Sequence, residues 1–191
     1  MTVVLLLGAA VVGYLLGALS PASLIARRKG VDLRQVGSGN PGASNAGRAL
    51  GRPIGIIVAV LDVAKGAVPA AVFGASDHRA GLLAGLAAVI GHVSSPFLRG
   101  RGGKGVATAA GAILGVHPVW LPIVLLAWLL TVAVSRWIAL ASVVAATTVL
   151  VVALVVGQDR LWAALLAVVV IARHQSNLAQ RRTLTGSAPD R

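Results

Sequence analysis

The sequence predicts an all-α, polytopic membrane protein with seven transmembrane helices, one of them short, the N-terminus outside and the C-terminus cytoplasmic. Three observations carry this. The mean hydropathy is +0.89. Only 12% of the 191 residues are charged, about half the share usual in a soluble domain. Apolar runs recur at 3–25, 53–75, 79–98, 118–134 and 137–157, with a shorter one at 161–172. A helix of about 20 residues spans a hydrocarbon core of about 30 Å, so each long run is of crossing length or close to it.

Taken in order, the run 3–25 has no early basic cluster and no tight cleavage site, and reads as a retained span rather than a signal peptide. Spans 53–75 and 79–98 follow a polar stretch. The region 105–134 is ambiguous. As one helix it would be about 45 Å long, and Pro118 would break its hydrogen-bond ladder. Splitting it at His117-Pro118 gives spans 105–116 and 118–134, followed by 137–157 and 160–176. In that map 14 of the 17 Lys and Arg residues fall on one side, only Arg79 and Arg160 on the other, and Lys65 within a span. Merging the two pieces degrades the count to 10 against 6, so the positive-inside rule selects seven. The fourth span, about 18 Å, is too short to cross alone, so the loop before it, "RGRGGKG" (99–105), is expected to dip inward. Backbone at that depth must be enclosed by protein or line a wet cavity. Trp120, Trp137 and Trp162 fall near span ends, where interfacial anchors sit.

Composition excludes several chemistries. With no cysteine there is no disulfide, cysteine–metal site or thioester. The net charge of +12 is accounted for by cytoplasmic loops, so no nucleic-acid partner is expected. The four histidines are scattered and only five acids are present, which argues against a metal site and against a carboxylate-pair hydrolase.

Three polar clusters converge on the cytoplasmic side of this map: "GSGNPGASNAGR" (37–48), "GRGGKGVAT" (100–108) and "RHQSN" (173–177). The first contains a formal G-x-G-x-x-G at Gly37, Gly39 and Gly42, but no strand precedes it and no βαβ unit fits between spans. The second fails as a Walker A loop, with Leu98 where glycine is required and Gly105 where Ser or Thr is required. A general reading survives: glycines let backbone N–H groups approach an anion, and Lys104 with Arg48 and Ser38 supplies phosphate-binding chemistry. An alternative reading takes the glycines as turns and the cations as topogenic. Asp62 and Lys65, three apart in the second span, share a face and can pair, as a structural ion pair or as part of a site. His92 stands near the cytoplasmic end of the third span, as a packed histidine or a site wall.

On these residues the chain resembles the bacterial acyl-phosphate:glycerol-3-phosphate acyltransferases of the PlsY type over nearly its whole length. Residues 13–51 are similar to the family's first signature, "LDVAKG" (61–66) to its second-span element, "GH" (91–92) with "RGGKGVATAAG" (101–111) to the second signature, and "ARHQSN" (172–177) to the third. It departs from the family pattern at Ser44, Ala46-Gly47, Ser94-Ser95, Gln180 and the stretch after Gly186. The resemblance implies one integral membrane domain over 1–191, in a bacterial cell membrane with its site facing the cytoplasm. It further implies transfer of an acyl chain from acyl-phosphate to the 1-hydroxyl of glycerol 3-phosphate, giving lysophosphatidate and phosphate, without a cofactor or metal and as a monomer. Ser38, Arg48, Lys104, His174 and Asn177 are the implied catalytic residues. Gly39, Asn40, Gly42, Ser44, Asn45, Gly102, Gly103 and Gly105 would bind substrate, with Ser142 as a further candidate. Asp62, Lys65 and His92 remain additional candidates. No His-x4-Asp motif and no covalent nucleophile with its base are evident. The proton of the attacking hydroxyl has two acceptors in reach of this scheme, His174 and the donor's own phosphate, and the phosphate is preferred because it already lies beside the reacting carbonyl. A small anion transporter and an inactive lipid-binding relative are the alternatives built on the same residues.

Overall fold

The computed structural model describes residues 2–175. Among them lie nine α-helices: α1 (Thr2–Ala18), α2 (Pro21–Arg28), α3 (Ala43–Leu50), α4 (Arg52–Gly74), α5 (His78–Val93), α6 (Val106–Val116), α7 (Trp120–Ser135), α8 (Ile138–Val156) and α9 (Arg160–Ala172). A 3₁₀ turn at Pro96–Leu98 follows α5. No strand occurs among the described residues. Among the described residues, four segments are long and apolar enough to cross a membrane: Val3–Arg28, Arg52–Gly74, His78–Leu98 and Ile138–Val156. The helices Val106–Val116, Trp120–Ser135 and Arg160–Ala172 are apolar but shorter.

Most expected boundaries are met. Helix α6 ends at Val116 and α7 starts at Trp120, so the chain does break at His117-Pro118. The first span differs. Expected as continuous over 3–25, it stops at Ala18 and restarts at Pro21. Proline has no N–H to continue the ladder, and Ser20 caps the new helix, its hydroxyl accepting from Ser23 N at 3.3 Å.

The chain forms two compact units divided between Leu121 and Pro122. In the N-terminal unit, α1 and α4 both pack on α5, α6 lies along α4, and α3 sits against the start of α4. Small residues set these crossings. Gly13 and Gly17 of α1 meet the backbone of Ala84 and Ala88 on α5, and a Cβ at either glycine would run into a carbonyl. On α4 and α6, Gly66 faces the Thr108 carbonyl and Gly111 the Val63 carbonyl in the same way. Lipid-embedded helices gain little from apolar burial against each other, so close backbone approach through small residues is what joins them. In the C-terminal unit α8 packs on α9; Ala139, Ala146, Val149 and Ala153 of α8 and Trp162, Leu166 and Val170 of α9 are buried.

Two of the three tryptophans expected as interfacial anchors are buried within protein. Trp120 is stacked on His117 with ring centroids 3.8 Å apart, and Trp162 is 6% exposed. Their position at helix ends was right, but the indoles fill packing space rather than face outward.

Because the obstacle at Gly66 is a carbonyl that cannot rotate away, Gly66→Val is expected to cost about 1–3 kcal/mol or more. Gly8, which has only Phe73 Cε1 at 3.9 Å in reach, serves as control: Gly8→Ala should hold or slightly raise stability. Thermal unfolding in detergent checks both.

Candidate functional site

The loop between α2 and α3 folds around one side chain. Asn45 is 1% exposed. Its Nδ2 donates to Leu33 O at 3.0 Å and to Val36 O at 2.9 Å, while its Oδ1 accepts from Ser38 N at 3.0 Å. Three backbone groups are thereby satisfied by a single amide. Gly37 completes the turn at φ +60, where a side chain would be strained and a Cβ would strike Asn45 Oδ1. The outcome presents Ser38 on the surface beside Arg48 of α3, whose Nη2 reaches Ser38 Oγ at 3.4 Å. Gly42 caps α3 with its carbonyl accepting from Asn45 N and Ala46 N, and Ser44 is exposed on the same helix. Gly39 and Asn40 lie half-buried between Ser38 and the cap.

The second loop folds back on the end of α5. Gly102 N donates to Val93 O and Gly103 N to His92 O, each at 3.1 Å. Both glycines are buried, and a Cβ at Gly103 would occupy the place of the His92 ring. Of the loop expected to dip inward, Gly102 and Gly103 are enclosed by protein, while Arg99, Gly100 and Arg101 are exposed. Gly105, at φ +83, turns the chain into α6 and leaves Lys104 half-buried just before that helix. The two loops are joined directly, since Arg34 Nη2 donates to Leu98 O at 2.7 Å.

Beneath them lies a buried polar cluster. Lys65 Nζ is 2.9 Å from Asp62 Oδ1, with side chains 8% and 4% exposed, and it donates to Leu19 O at 2.6 Å. His92 Nδ1 stands 3.6 Å from the same carboxylate oxygen. Alongside, buried Ser95 donates to Ala18 O at 2.6 Å. Sequence reasoning paired Asp62 with Lys65 through their i,i+3 spacing. It missed the acceptors, because Ala18 and Leu19 contribute backbone carbonyls that residue types do not reveal. Arg34 was missed as a tie for the same reason.

In the C-terminal unit, His174 follows α9 and is 2% exposed. Its Nδ1 lies 2.8 Å from Val170 O. A carbonyl only accepts, so Nδ1 carries the proton and Nε2 is the nitrogen with the lone pair in the neutral ring. Ser142, also buried, donates its hydroxyl to Ile138 O at 2.8 Å, which leaves its oxygen lone pairs as acceptors. Asn177 lies outside the described residues.

A family model described as glycerol-3-phosphate acyltransferase matches residues 7–184. The chain belongs to the glycerol-3-phosphate acyltransferase family. Within it, a relative from Aquifex aeolicus is 40% identical over 180 residues, covering 91% of this chain and 92% of that one. One from Staphylococcus aureus is 37% identical over 192 residues, covering 92% and 93%. A Chlorobaculum tepidum relative is 44% identical over 151 residues, and the chain spans 65% of its length, just under two thirds. Among solved structures, PlsY, an integral membrane glycerol 3-phosphate acyltransferase, superposes in its glycerol 3-phosphate form with a TM-score of 0.89 at 37% identity, covering 97% of this chain and 95% of that chain. Its lysophosphatidic acid form gives 0.87 at 36% identity. Acyltransferase family membership and an integral membrane fold thus agree with the resemblance drawn from the three signatures.

The buried ion pair generates a testable asymmetry. Lys65→Met strands the Asp62 carboxylate and should cost about 3–5 kcal/mol. Adding Asp62→Leu is expected to restore part of that in thermal unfolding, but not all, because Leu19 O still lacks its donor. Equal stability of the single variant and the parent would show that the pair carries no structural weight.

Proposed function

We propose that this chain transfers an acyl group from acyl-phosphate to the 1-hydroxyl of glycerol 3-phosphate, forming lysophosphatidate and inorganic phosphate. The observation that carries this reading is the Asn45-clasped loop that sets Ser38 beside Arg48, in a chain aligned end to end with a protein solved in glycerol 3-phosphate and lysophosphatidic acid forms. We read the chain as one catalytic domain working as a monomer in the bacterial inner membrane, with seven spans, the N-terminus outside and the site facing the cytoplasm. The asymmetry of its basic residues supports that orientation.

In this reading both substrates are anionic, and Arg48 and Lys104 receive their phosphates. Arg48 offers a planar fork that can grip two phosphate oxygens, and Lys104 a compact point charge. Ser38 and the glycine backbone around it orient the glycerol 3-phosphate. Asn45, with its amide committed to the loop, acts by holding these groups in place, as do His92, Asp62 and Lys65 beneath the second loop. The glycerol hydroxyl attacks the acyl carbonyl, the C–O bond to phosphate breaks, and phosphate leaves with the electron pair. The donor's phosphate takes the hydroxyl proton, while His174 Nε2, set by the Nδ1 bond to Val170 O, hydrogen-bonds substrate with Asn177.

Purified protein given acyl-phosphate and labelled glycerol 3-phosphate is expected to make labelled lysophosphatidate. Binding or passage of the anion without product would identify a lipid-binding relative or a transporter instead. Arg48→Ala and Lys104→Ala should each lose about 2–5 kcal/mol of transition-state stabilisation, read as kcat/KM. Arg48→Lys should remain poor, since a point charge does not replace the fork.

A second expectation separates the two proton acceptors. His174→Gln keeps a hydrogen-bonding amide but cannot act as a base. With the donor phosphate as acceptor, the loss should be modest and lie mainly in KM. A fall in kcat of about 10²–10⁴, with the acidic limb of the pH profile abolished, would instead make His174 the base.

A further inference from the structure

A second cationic feature of the N-terminal unit lies apart from Ser38, Arg48 and Lys104. A cleft of about 490 Å³ opens between the end of α2, the start of the loop that follows it, and the Pro96–Leu98 turn. Arg27, Arg34 and Arg99 line it, with Asp32 as the sole acid. That carboxylate is engaged within its own turn, Oδ1 accepting from Arg34 N at 3.0 Å and Oδ2 from Gln35 Nε2 at 3.2 Å. Arg34, which lines the cleft, is anchored there by its bond from Nη2 to Leu98 O. Arg99 is held in a left-handed conformation at φ 54, with its N–H on Pro96 O at 3.1 Å. Three guanidiniums sharing one cleft with one engaged carboxylate repel each other, and an anion with several acceptor oxygens relieves that repulsion.

The surroundings distinguish which anion. Phe97 lines the same cleft and is 59% exposed, and Leu24 on the adjoining helix is 55% exposed. The cleft also sits where two apolar segments of crossing length end, Val3–Arg28 and His78–Leu98. A free phosphate gains nothing from an exposed phenyl ring at a membrane boundary, whereas a lipid places its headgroup among the arginines and its glycerol and upper acyl chain on the apolar rim. We propose that this cleft binds the phosphate headgroup of an anionic membrane phospholipid. The bound lipid would brace the loop segment Val31–Val36, which Asn45 clasps at Leu33 O and Val36 O. Binding is independent of the proposed reaction; only its effect on turnover rests on that reading.

The test uses the full chain in nanodiscs of phosphatidylcholine containing phosphatidylglycerol, extracted into detergent and examined by native mass spectrometry. The parent is expected to retain phosphatidylglycerol in preference to phosphatidylcholine. An Arg27→Gln/Arg99→Gln variant, changed at two exposed side chains, should retain it about 25-fold less, since each cation near an anionic headgroup is worth about fivefold. Its thermal midpoint in phosphatidylcholine alone verifies folding. Equal retention by parent and variant would overturn the proposal. Displacement of the lipid by millimolar inorganic phosphate would overturn the lipid assignment in favour of a soluble-anion site. If the acyltransferase reading holds, phosphatidylglycerol should raise the parent's turnover and leave the variant at its basal rate in phosphatidylcholine. Retention is read without any activity, so failure of the reaction and failure of this site give different results.

Discussion

The N-terminal unit depends on one ammonium group. Lys65 is buried in an apolar helix, 2.9 Å from the Asp62 carboxylate and 2.6 Å from the carbonyl of Leu19. A buried charge persists in such a place only when its donors are matched. Here the match does more than neutralise. Where α1 stops at Ala18, its last carbonyls lose their helical donors, and backbone acceptors inside a membrane protein must find others. Lys65 serves Leu19 and Ser95 serves Ala18. The chain can therefore break inside an otherwise continuous apolar run, and the break is what lets α2 depart from α1 and deliver the long polar loop.

That loop and the one after α5 follow a common plan. The side chains and backbone that shape them are buried: Asn45 in one, Gly102 and Gly103 in the other. The groups suited to bind anions, Ser38, Arg48 and Lys104, stay exposed or half-buried. Shape and chemistry are thus carried by different residues. A site arranged this way holds its geometry before any ligand arrives, and substrate binding need not supply the cost of ordering two glycine-rich segments.

Much of this was legible in the residues. Hydropathy located the apolar helices, because lipid enforces long apolar runs more strictly than water enforces any pattern in a soluble protein, but not α3, which forms inside the polar stretch between the first two spans. The break at His117-Pro118 and the ion pair at Asp62 and Lys65 followed from proline chemistry and helical spacing. What escaped had a common cause. The interruption at Leu19 and Ser20 frees the carbonyls that Lys65 and Ser95 take up, Asn45 was assigned to substrate although its amide serves Leu33, Val36 and Ser38 of its own loop, and Ser94-Ser95 looked like loss of a family feature although Ser95 closes a contact 77 residues away. Each turns on a backbone group as partner, and backbone groups are the same at every position of a sequence.

The crossing of α1 on α5 carries a consequence for how such a chain can diverge. Where two side chains meet, a change on one can be answered by a change on the other. At Gly13 and Gly17 the opposing surface is the main chain of Ala84 and Ala88, which no substitution can trim. Compensation is closed there, and a larger residue can be accommodated only by moving the helices apart, and with them the loops they hold. Sequence drift is therefore channelled outward, onto residues such as Val4, Leu7 and Val11, which are 76%, 62% and 56% exposed and for which one apolar side chain serves as well as another.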